Sequence, residues 1–354
     1  MDKDVIRRIF WNIFSLLLAV LTLWAVFALS GEKSPMEIVG ELRDADDLWV
    51  VLAVVSSLMY VVLEGAAIAT LLSSIGCPVS PLKGLLYSAS DAYFSAVTPS
   101  ATGGQPAAVY FMVRHGIPAG TGAVVMLVNL ILYTLATMAL GLFALVCEPV
   151  LFLNFRAISK VLVAGGLAVL FGLTVLFFSA MAKSHHIFDL LRRITSGLMK
   201  RKSEEERRTR LGRIDEAQRD FSLCSSLMGT NKKAVLKAFL LNLGQRACQI
   251  AVPMLLHIGM DGSLRTGLRI FSAQCMVTVG YNCVPVPGAR GVADFLMIDA
   301  FTDLIGEEDA FMLEMLGRGV SFYLCTLVSG VAVLSGFIIL KIREKRSPAA
   351  KGSR

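Results

Sequence analysis

The chain has 354 residues, of which 55% are hydrophobic and 17% are charged. Soluble domains usually carry about 25% charged residues, and disordered chains are more polar still, so the composition excludes both classes. Apolar stretches of about 20 residues, enough to cross a bilayer as a helix, recur along the chain. We therefore predict an all-α integral membrane protein.

The net charge of +7 does not indicate a nucleic-acid partner. Most of the excess lies in one central loop and in the C-terminal tail, where membrane topology accounts for it. The seven Cys form no Cys-x-x-Cys pair, and the four His have no metal-ligand spacing. We expect no metal, no other cofactor and no nucleic acid.

Six apolar segments are long enough to be transmembrane helices. The first could be mistaken for a signal peptide, but its apolar core is longer than the usual length of about 7–15 residues. The six predicted spans are residues 9–30, 48–75, 119–146, 157–182, 234–259 and 317–341.

The distribution of Lys and Arg orients these spans. Basic residues outnumber acidic ones in 183–233 and after residue 341, whereas 31–47 is mainly acidic. Because cytoplasmic loops are enriched in Lys and Arg, we predict an inner (plasma) membrane protein with both termini in the cytoplasm. The linker 183–233 is expected to be a solvated amphipathic helix, or else to bind anionic lipid headgroups.

Two further apolar regions are interrupted by Pro and Gly. Region 84–113 is broken at 98–106, and region 268–303 is broken at 284–291. Each arm is too short for a hydrocarbon core of about 30 Å. We predict two re-entrant helical hairpins that enter from opposite faces; the alternative is a pair of kinked helices whose polar groups are satisfied by neighbours.

The two breaks share Pro, Ala and Gly at matching places, which suggests an inverted repeat. Broken helices at corresponding positions of inverted halves point to a transport site. The predicted organisation is an N-terminal helix with an acidic external loop, a first repeat, a cytoplasmic linker, a second repeat and a basic tail, at 1–47, 48–182, 183–233, 234–341 and 342–354.

The breaks also carry groups that suit a phosphate. A helix N-terminus offers free N–H groups and a positive dipole end, and Ser100 or Thr102 is expected to cap the second arm. Arg290 adds a positive charge, with Asp294 as its expected partner. The candidate headgroup residues in the breaks are Thr98, Pro99, Ser100, Thr102, Gly103, Gly104, Gln105, Pro287, Gly288, Arg290, Gly291 and Asp294.

Several ionisable residues fall inside predicted apolar segments, where each charge costs about 2.5–3.5 kcal/mol and needs a partner or a wet cavity. Glu64 and Arg246 are a candidate pair between the two repeats, which either orients the helices or contacts substrate. Asp91, Asp299 and Glu314 are further examples. Arg318 either needs a partner within the protein as well or extends to the membrane interface. The amides are expected mainly to join helices: Asn129, Asn242, Gln245, Gln249, Gln274 and Asn282.

The two breaks resemble motifs of a known family. Residues 98–106 (TPSATGGQP) and 285–294 (PVPGARGVAD) are similar to the Gly-Gly-Pro and Pro-x-Pro-Gly elements of the lysylphosphatidylglycerol synthase transmembrane family, and the resemblance covers about residues 10–341. It differs at Gln105 and Asp294, where the family often has an acid and a Glu. The family includes a flippase domain that moves aminoacylated phosphatidylglycerol between leaflets.

The resemblance implies a lipid translocase without a cofactor. Its expected ligands are anionic phospholipids, such as (aminoacyl-)phosphatidylglycerol, or polyprenyl phosphates. The sequence carries no nucleophile elbow, Walker loop or HExxH motif, and no aminoacyl-transferase domain follows residue 341, so we do not expect an enzyme. The alternative is a membrane scaffold for a separate lipid-synthesising or glycan-synthesising enzyme, which would bind the 183–233 linker.

Overall fold

The computed structural model describes residues 45–98, 102–182, 184–198, 204–282 and 291–346. All regular elements within these ranges are helices, which confirms the all-α prediction; the predicted first span, 9–30, lies outside them. The helices are α1 (Asp47–Ser74), α2 (Pro81–Val97), α3 (Gly104–Arg114), α4 (Ala119–Cys147), α5 (Pro149–Asn154), α6 (Ala157–Ala182), α7 (Ser184–Leu198), α8 (Glu204–Thr230), α9 (Lys232–Gly259), α10 (Leu264–Tyr281), α11 (Val292–Ile305), α12 (Glu307–Arg318) and α13 (Cys325–Arg346), with a π-helical segment, Gly319–Leu324, between α12 and α13.

Four stretches of the described residues are long and apolar enough to cross a membrane. They are α1, α4, Ala157–Ser179 within α6, and the continuous run Glu307–Ile342. Large apolar side chains such as Phe171 and Val331 are exposed on them, as a lipid-facing surface requires. Helix α9 coincides with the predicted span 234–259 but is not among the four, because polar side chains lower its hydropathy. That span stays a prediction.

Helices α1 and α9 form an antiparallel pair along their whole length. The Asp46 N–H donates to the Gly259 carbonyl at 2.9 Å at one end, and the Asn231 side chain reaches the Ser74 carbonyl at 3.5 Å at the other. Midway, the Ser56 hydroxyl donates to the Cys248 carbonyl at 2.8 Å. This pair is the axis around which the other helices pack.

Helices α2 and α3 form a hairpin beside α1. Helix α2 begins at Pro81, a residue suited to a first turn, and ends before Thr98, whose hydroxyl donates to the Phe94 carbonyl and accepts from the Gly103 N–H at 2.9 Å. The N-cap of α3 is therefore Gly103. Thr102 is therefore not the N-cap of α3, whereas Ser100, the other predicted cap, lies outside the described residues.

Helices α10 and α11 form a second hairpin, which packs on α9. The Ser263 hydroxyl caps α10 by accepting from the Thr266 N–H at 3.1 Å. Gly291 precedes α11 with φ of +70°, a conformation that favours glycine. Its N–H donates to the Asp294 carboxylate at 3.0 Å, so Asp294 holds the start of α11.

The two hairpins open at opposite ends of the helix bundle. At the open end of the α2–α3 hairpin, a 2.9 Å hydrogen bond joins the side chains of Tyr87 and His115. The next helix, α4, starts at this end and packs against α8, where Gly120 lies against the backbone at Ala217. The far end of α4 meets the start of α10, where Glu148 lies 3.8 Å from Arg269. Helix α4 thus runs from one hairpin mouth to the other.

A glycine contact fixes the distance between α1 and α2. A Cβ atom added at Gly84 would lie 2.6 Å from the Gly65 carbonyl oxygen, closer than any real contact, so the two backbones touch. We expect Gly84→Ala to lower the free energy of unfolding by about 1–3 kcal/mol, the usual cost of overpacking. The measurement is equilibrium unfolding in mixed micelles.

Gly172→Ala on α6 is the matched control for this substitution. No atom lies within 4 Å of an added Cβ there, so alanine should raise stability by about 0.5–1 kcal/mol through its better helix propensity. Equal effects of the two substitutions would contradict the close packing of α1 against α2.

Candidate functional site

A chain of buried polar side chains crosses the bundle where α1 and α9 pair. The Asn242 amide of α9 donates to Asn129 of α4 at 3.0 Å, and Asn129 donates in turn to the Glu64 carboxylate of α1 at 3.4 Å. Ser88 of α2 donates to the other oxygen of Glu64 at 3.0 Å. Four helices are thus joined through one acid that is only 4% exposed.

Asp91 extends this chain to the tip of the first hairpin. It lies one helical turn after Ser88, and its carboxyl group is close enough to that of Glu64 for the two to interact. The Ser95 hydroxyl donates to Asp91 at 3.2 Å. Gly104, the first residue of α3, packs so tightly on Asp91 and Ser95 that a larger residue would overlap them. The N-terminus of α3 therefore faces the carboxyl group of Asp91 within the protein.

Arg246 is the largest fully buried side chain in the described part of the chain. Its guanidinium lies 4.5 Å from the centre of the Tyr133 ring, a cation–π contact, and donates to the Gln249 side chain at 2.5 Å. The Tyr281 side chain also lies near enough to interact with it. No direct ion pair joins Arg246 to Glu64 among the described side chains, although the two charges interact at longer range.

A cavity of about 100 Å³ with a mixed polar and apolar lining lies next to the second hairpin. Polar side chains from α9, α10, α11 and the π-helical segment face it alongside apolar ones. A cavity of this size and polarity holds several water molecules or a compact polar group. Its lining includes Gln249, Gln274, Thr278, Tyr281, Asp294, Arg318 and Ser321.

The charges of the cavity come from a cluster of three residues. Arg318 forms ion pairs with Asp294 of α11 and, at 2.5 Å, with Glu314 one turn earlier on α12. Arg318 is therefore held inside the protein rather than extended to the interface. The backbone changes to a π-helix directly after it, and π-helical turns occur often at functional sites.

Several buried polar atoms near this cavity have no hydrogen-bond partner among the described residues. They include both amide atoms of Gln245, Oε1 of Gln274, and Nε and Nη2 of Arg246. Because native proteins satisfy nearly all buried polar atoms, this group has unused capacity to bind water or a polar ligand. The atoms of Gln245, Arg246 and Gln274 belong to α9 and α10.

The predicted site residues fall into three groups. Glu64, Arg246, Gly104 and Asp294 lie in the polar chain, beside it, or at the cavity. Thr98 and Gly103 shape the first turn, and Thr102, Gln105 and Gly291 lie at or near the starts of α3 and α11. The remaining predicted residues lie outside the described ranges: Pro99, Ser100, Pro287, Gly288 and Arg290.

Sequence reasoning missed the roles of Ser88 and Tyr281 and the pairing of Arg318 with Asp294. Small hydroxyls and aromatic residues are common in membrane helices, so their identity carried no signal. Asp299, singled out as a charge in an apolar segment, pairs instead with Arg156 at 3.1 Å, away from the polar chain.

The amide bridge between α9 and α4 makes a measurable prediction. Double-mutant cycles in membrane proteins give about 0.6 kcal/mol, and at most about 1.7 kcal/mol, for such a bond, so Asn129→Ala and Asn242→Ala should couple by this amount in equilibrium unfolding. A cycle of Asn242→Ala with Ser335→Ala is the control, because exposed Ser335 bonds only its own helix at Val331. Additivity in both cycles would contradict the bridge.

Comparison with known proteins assigns the chain to a family. The sequence model described as the lysylphosphatidylglycerol synthase TM region matches residues 12–329, a range that includes both hairpins, the polar chain and the cavity. No curated protein and no solved structure matches the chain. Because the family match spans most of the 354 residues, the chain belongs to the lysylphosphatidylglycerol synthase transmembrane family.

Proposed function

We propose that this protein is a lipid translocase that moves a phospholipid with a phosphate-bearing headgroup between the leaflets of the plasma membrane. The observation that carries the proposal is the cavity at the second hairpin, whose lining residue Gln249 accepts a hydrogen bond from the buried Arg246. Membership of a family related to lipid handling supports the substrate class.

The proposal includes an inverted repeat, with α1 to α4 matching α9 to α13, and several positions support it. Glu64 and Gln249 are each the eighteenth residue of their helices, α1 and α9. Asp91 and Gln274 are each the eleventh residue of α2 and α10. Matching positions of the two halves thus contribute to the polar chain and to the cavity, as expected if one ancestral site was duplicated.

Helix contacts support the same correspondence. Helix α2 packs on α13, and its proposed counterpart α10 packs on α4. The fourth residue of each hairpin is a glycine, Gly84 or Gly267, and each glycine packs against the preceding long helix, α1 or α9. Together with the opposite openings of the hairpins, these contacts fit two re-entrant elements that enter the membrane from opposite faces, with alternating access to the region between them.

The chemistry of the cavity fits a compact zwitterionic or anionic headgroup. Arg318 and the amide groups of Gln249 and Gln274 are donors suited to phosphate oxygens, whereas Asp294 and Glu314 suit an ammonium group. A cavity of about 100 Å³ accommodates part of a headgroup but no acyl chain. We propose that the chains remain in the bilayer while the headgroup passes through the protein, without a chemical reaction.

The test is leaflet exchange of fluorescent lipids in liposomes that contain the purified protein. We compare phosphatidylglycerol, its lysyl and alanyl derivatives, and a polyprenyl phosphate, with protein-free vesicles as the baseline. We expect exchange of at least one of these lipids. Exchange of none above the baseline would contradict the translocase, and would favour the scaffold alternative if a lipid-synthesising enzyme binds the linker helices α7 and α8.

Arg318→Gln and Arg156→Gln are a matched pair of variants in this assay. Both arginines form an ion pair with an aspartate of α11: Arg318 pairs with Asp294 at the cavity, and the exposed Arg156 pairs with the buried carboxylate of Asp299. We expect Arg318→Gln to lower the exchange rate by about tenfold or more, because losing a charge-assisted hydrogen bond costs about 1.5–3 kcal/mol. Arg156→Gln should change it less than twofold; equal effects would remove the cavity from the transport route.

A further inference from the structure

We propose that Glu64 and Asp91 form a proton-binding site, and that the proton bound there is co-transported with the lipid. The inference rests on the proposed function and adds a driving force to it. It starts from the position of two acidic side chains that interact with each other in the interior of a membrane protein.

The first step is the geometry of the pair. Ser88 donates to Glu64 at 3.0 Å, which places Glu64 against the face of α2 that carries Asp91 one turn later. The two carboxyl groups are therefore close enough to interact directly. Two neighbouring carboxyl groups inside a protein do not both ionise readily, because like charges repel strongly there, so we infer that one of them carries a proton.

The second step is the balance of charge. Within the described part of the chain, the ionisable groups that interact with Glu64 or Asp91 come from five helices, and one of these groups is a cation. They are Tyr60, Tyr133, Arg246 and Cys325, besides the two acids themselves. With one proton on the pair, the acids carry one negative charge, which Arg246 balances. Loss of that proton leaves an uncompensated negative charge in the interior, which is costly.

The third step is access. Glu64 is buried, whereas Asp91 is partly exposed next to the tip of the first hairpin. A proton therefore reaches the pair through Asp91. Movement of α2 and α3 away from α1 would separate the two carboxyl groups. The proton would then leave from Asp91 to the aqueous side that is open at that moment. When α2 and α3 move back, the pair carries two negative charges until it binds another proton.

The fourth step connects the proton to the lipid. Arg246 balances the carboxyl pair and also donates to Gln249, which lines the cavity. A phosphate bound in the cavity adds a negative charge near Arg246 and so favours proton uptake by the pair. By thermodynamic linkage, proton uptake favours phosphate binding to the same extent. One proton and one anionic headgroup are thus expected to move together, from the acidic to the alkaline side.

The test uses the same liposomes with a pH difference of about one unit across the membrane and a phosphatidylglycerol probe. With one proton moved per lipid, the wild-type steady-state ratio between leaflets should shift up to about tenfold towards the alkaline side, and a protonophore should abolish the shift. Glu64→Gln and Asp91→Asn should leave no dependence on the gradient. Asp299→Asn, which neutralises a buried carboxylate that is paired with the exposed Arg156, should keep it.

Infrared difference spectroscopy during a pH jump gives a second readout that does not need transport. The wild type should show the C=O band of a protonated carboxyl group, and both Glu64→Gln and Asp91→Asn should remove or shift it. An unchanged band in both variants would overturn the proton site. Wild-type exchange that does not depend on the pH gradient would overturn the coupling of the proton to the lipid. Neither result would contradict the translocase. Absence of exchange would contradict the translocase alone, and the infrared band would then decide the proton site.

Discussion

The structure depends on one constraint: a polar group at membrane depth must find its partner within the protein. The antiparallel pair α1–α9 places an acid and an arginine in the interior, and neither is left without polar or aromatic contacts. Glu64 is held by Ser88 and Asn129, and Arg246 by Gln249 and the ring of Tyr133. The surrounding helices are positioned by these contacts as much as by apolar packing.

The same constraint explains the position of the hairpins. Helices α2 and α3 are too short to cross a bilayer alone, and the backbone groups at their broken ends need protein around them. Packing of α2 between α1 and α13, and of α10 against α4, α6 and α9, supplies that surrounding. The matching positions then carry different chemistry: Glu64 and Asp91 are acids in one half, whereas Gln249 and Gln274 are neutral amides in the other. In our proposal this difference assigns the proton to the first half and the headgroup to the second, with Arg246 between them.

Much of the local structure could be predicted from the sequence. The observed bounds of α1, α4, α6 and α9 lie within about two residues of the predicted spans, because Pro, Ser and Asp mark their ends locally. The cost of charges in apolar segments singled out Glu64 and Arg246 before any contact was known. The pairing of side chains could not be predicted: Asp294 pairs with Arg318 from another helix, whereas its expected partner Arg290 lies outside the described residues. Contacts of this kind depend on how helices pack, which a single sequence does not encode in any local pattern.

The central claim is that two inverted halves enclose a transport site, and labelling of cysteines from each side of the membrane tests it most directly. In a variant without the seven native Cys, single cysteines replace Ala119 and Glu307, the exposed first residues of α4 and α12 that follow the two hairpins. A membrane-impermeant thiol reagent should label position 119 from the cytoplasmic side and position 307 from the opposite side. Labelling of both positions from the same side would contradict the inverted arrangement and, with it, the proposed route for the lipid.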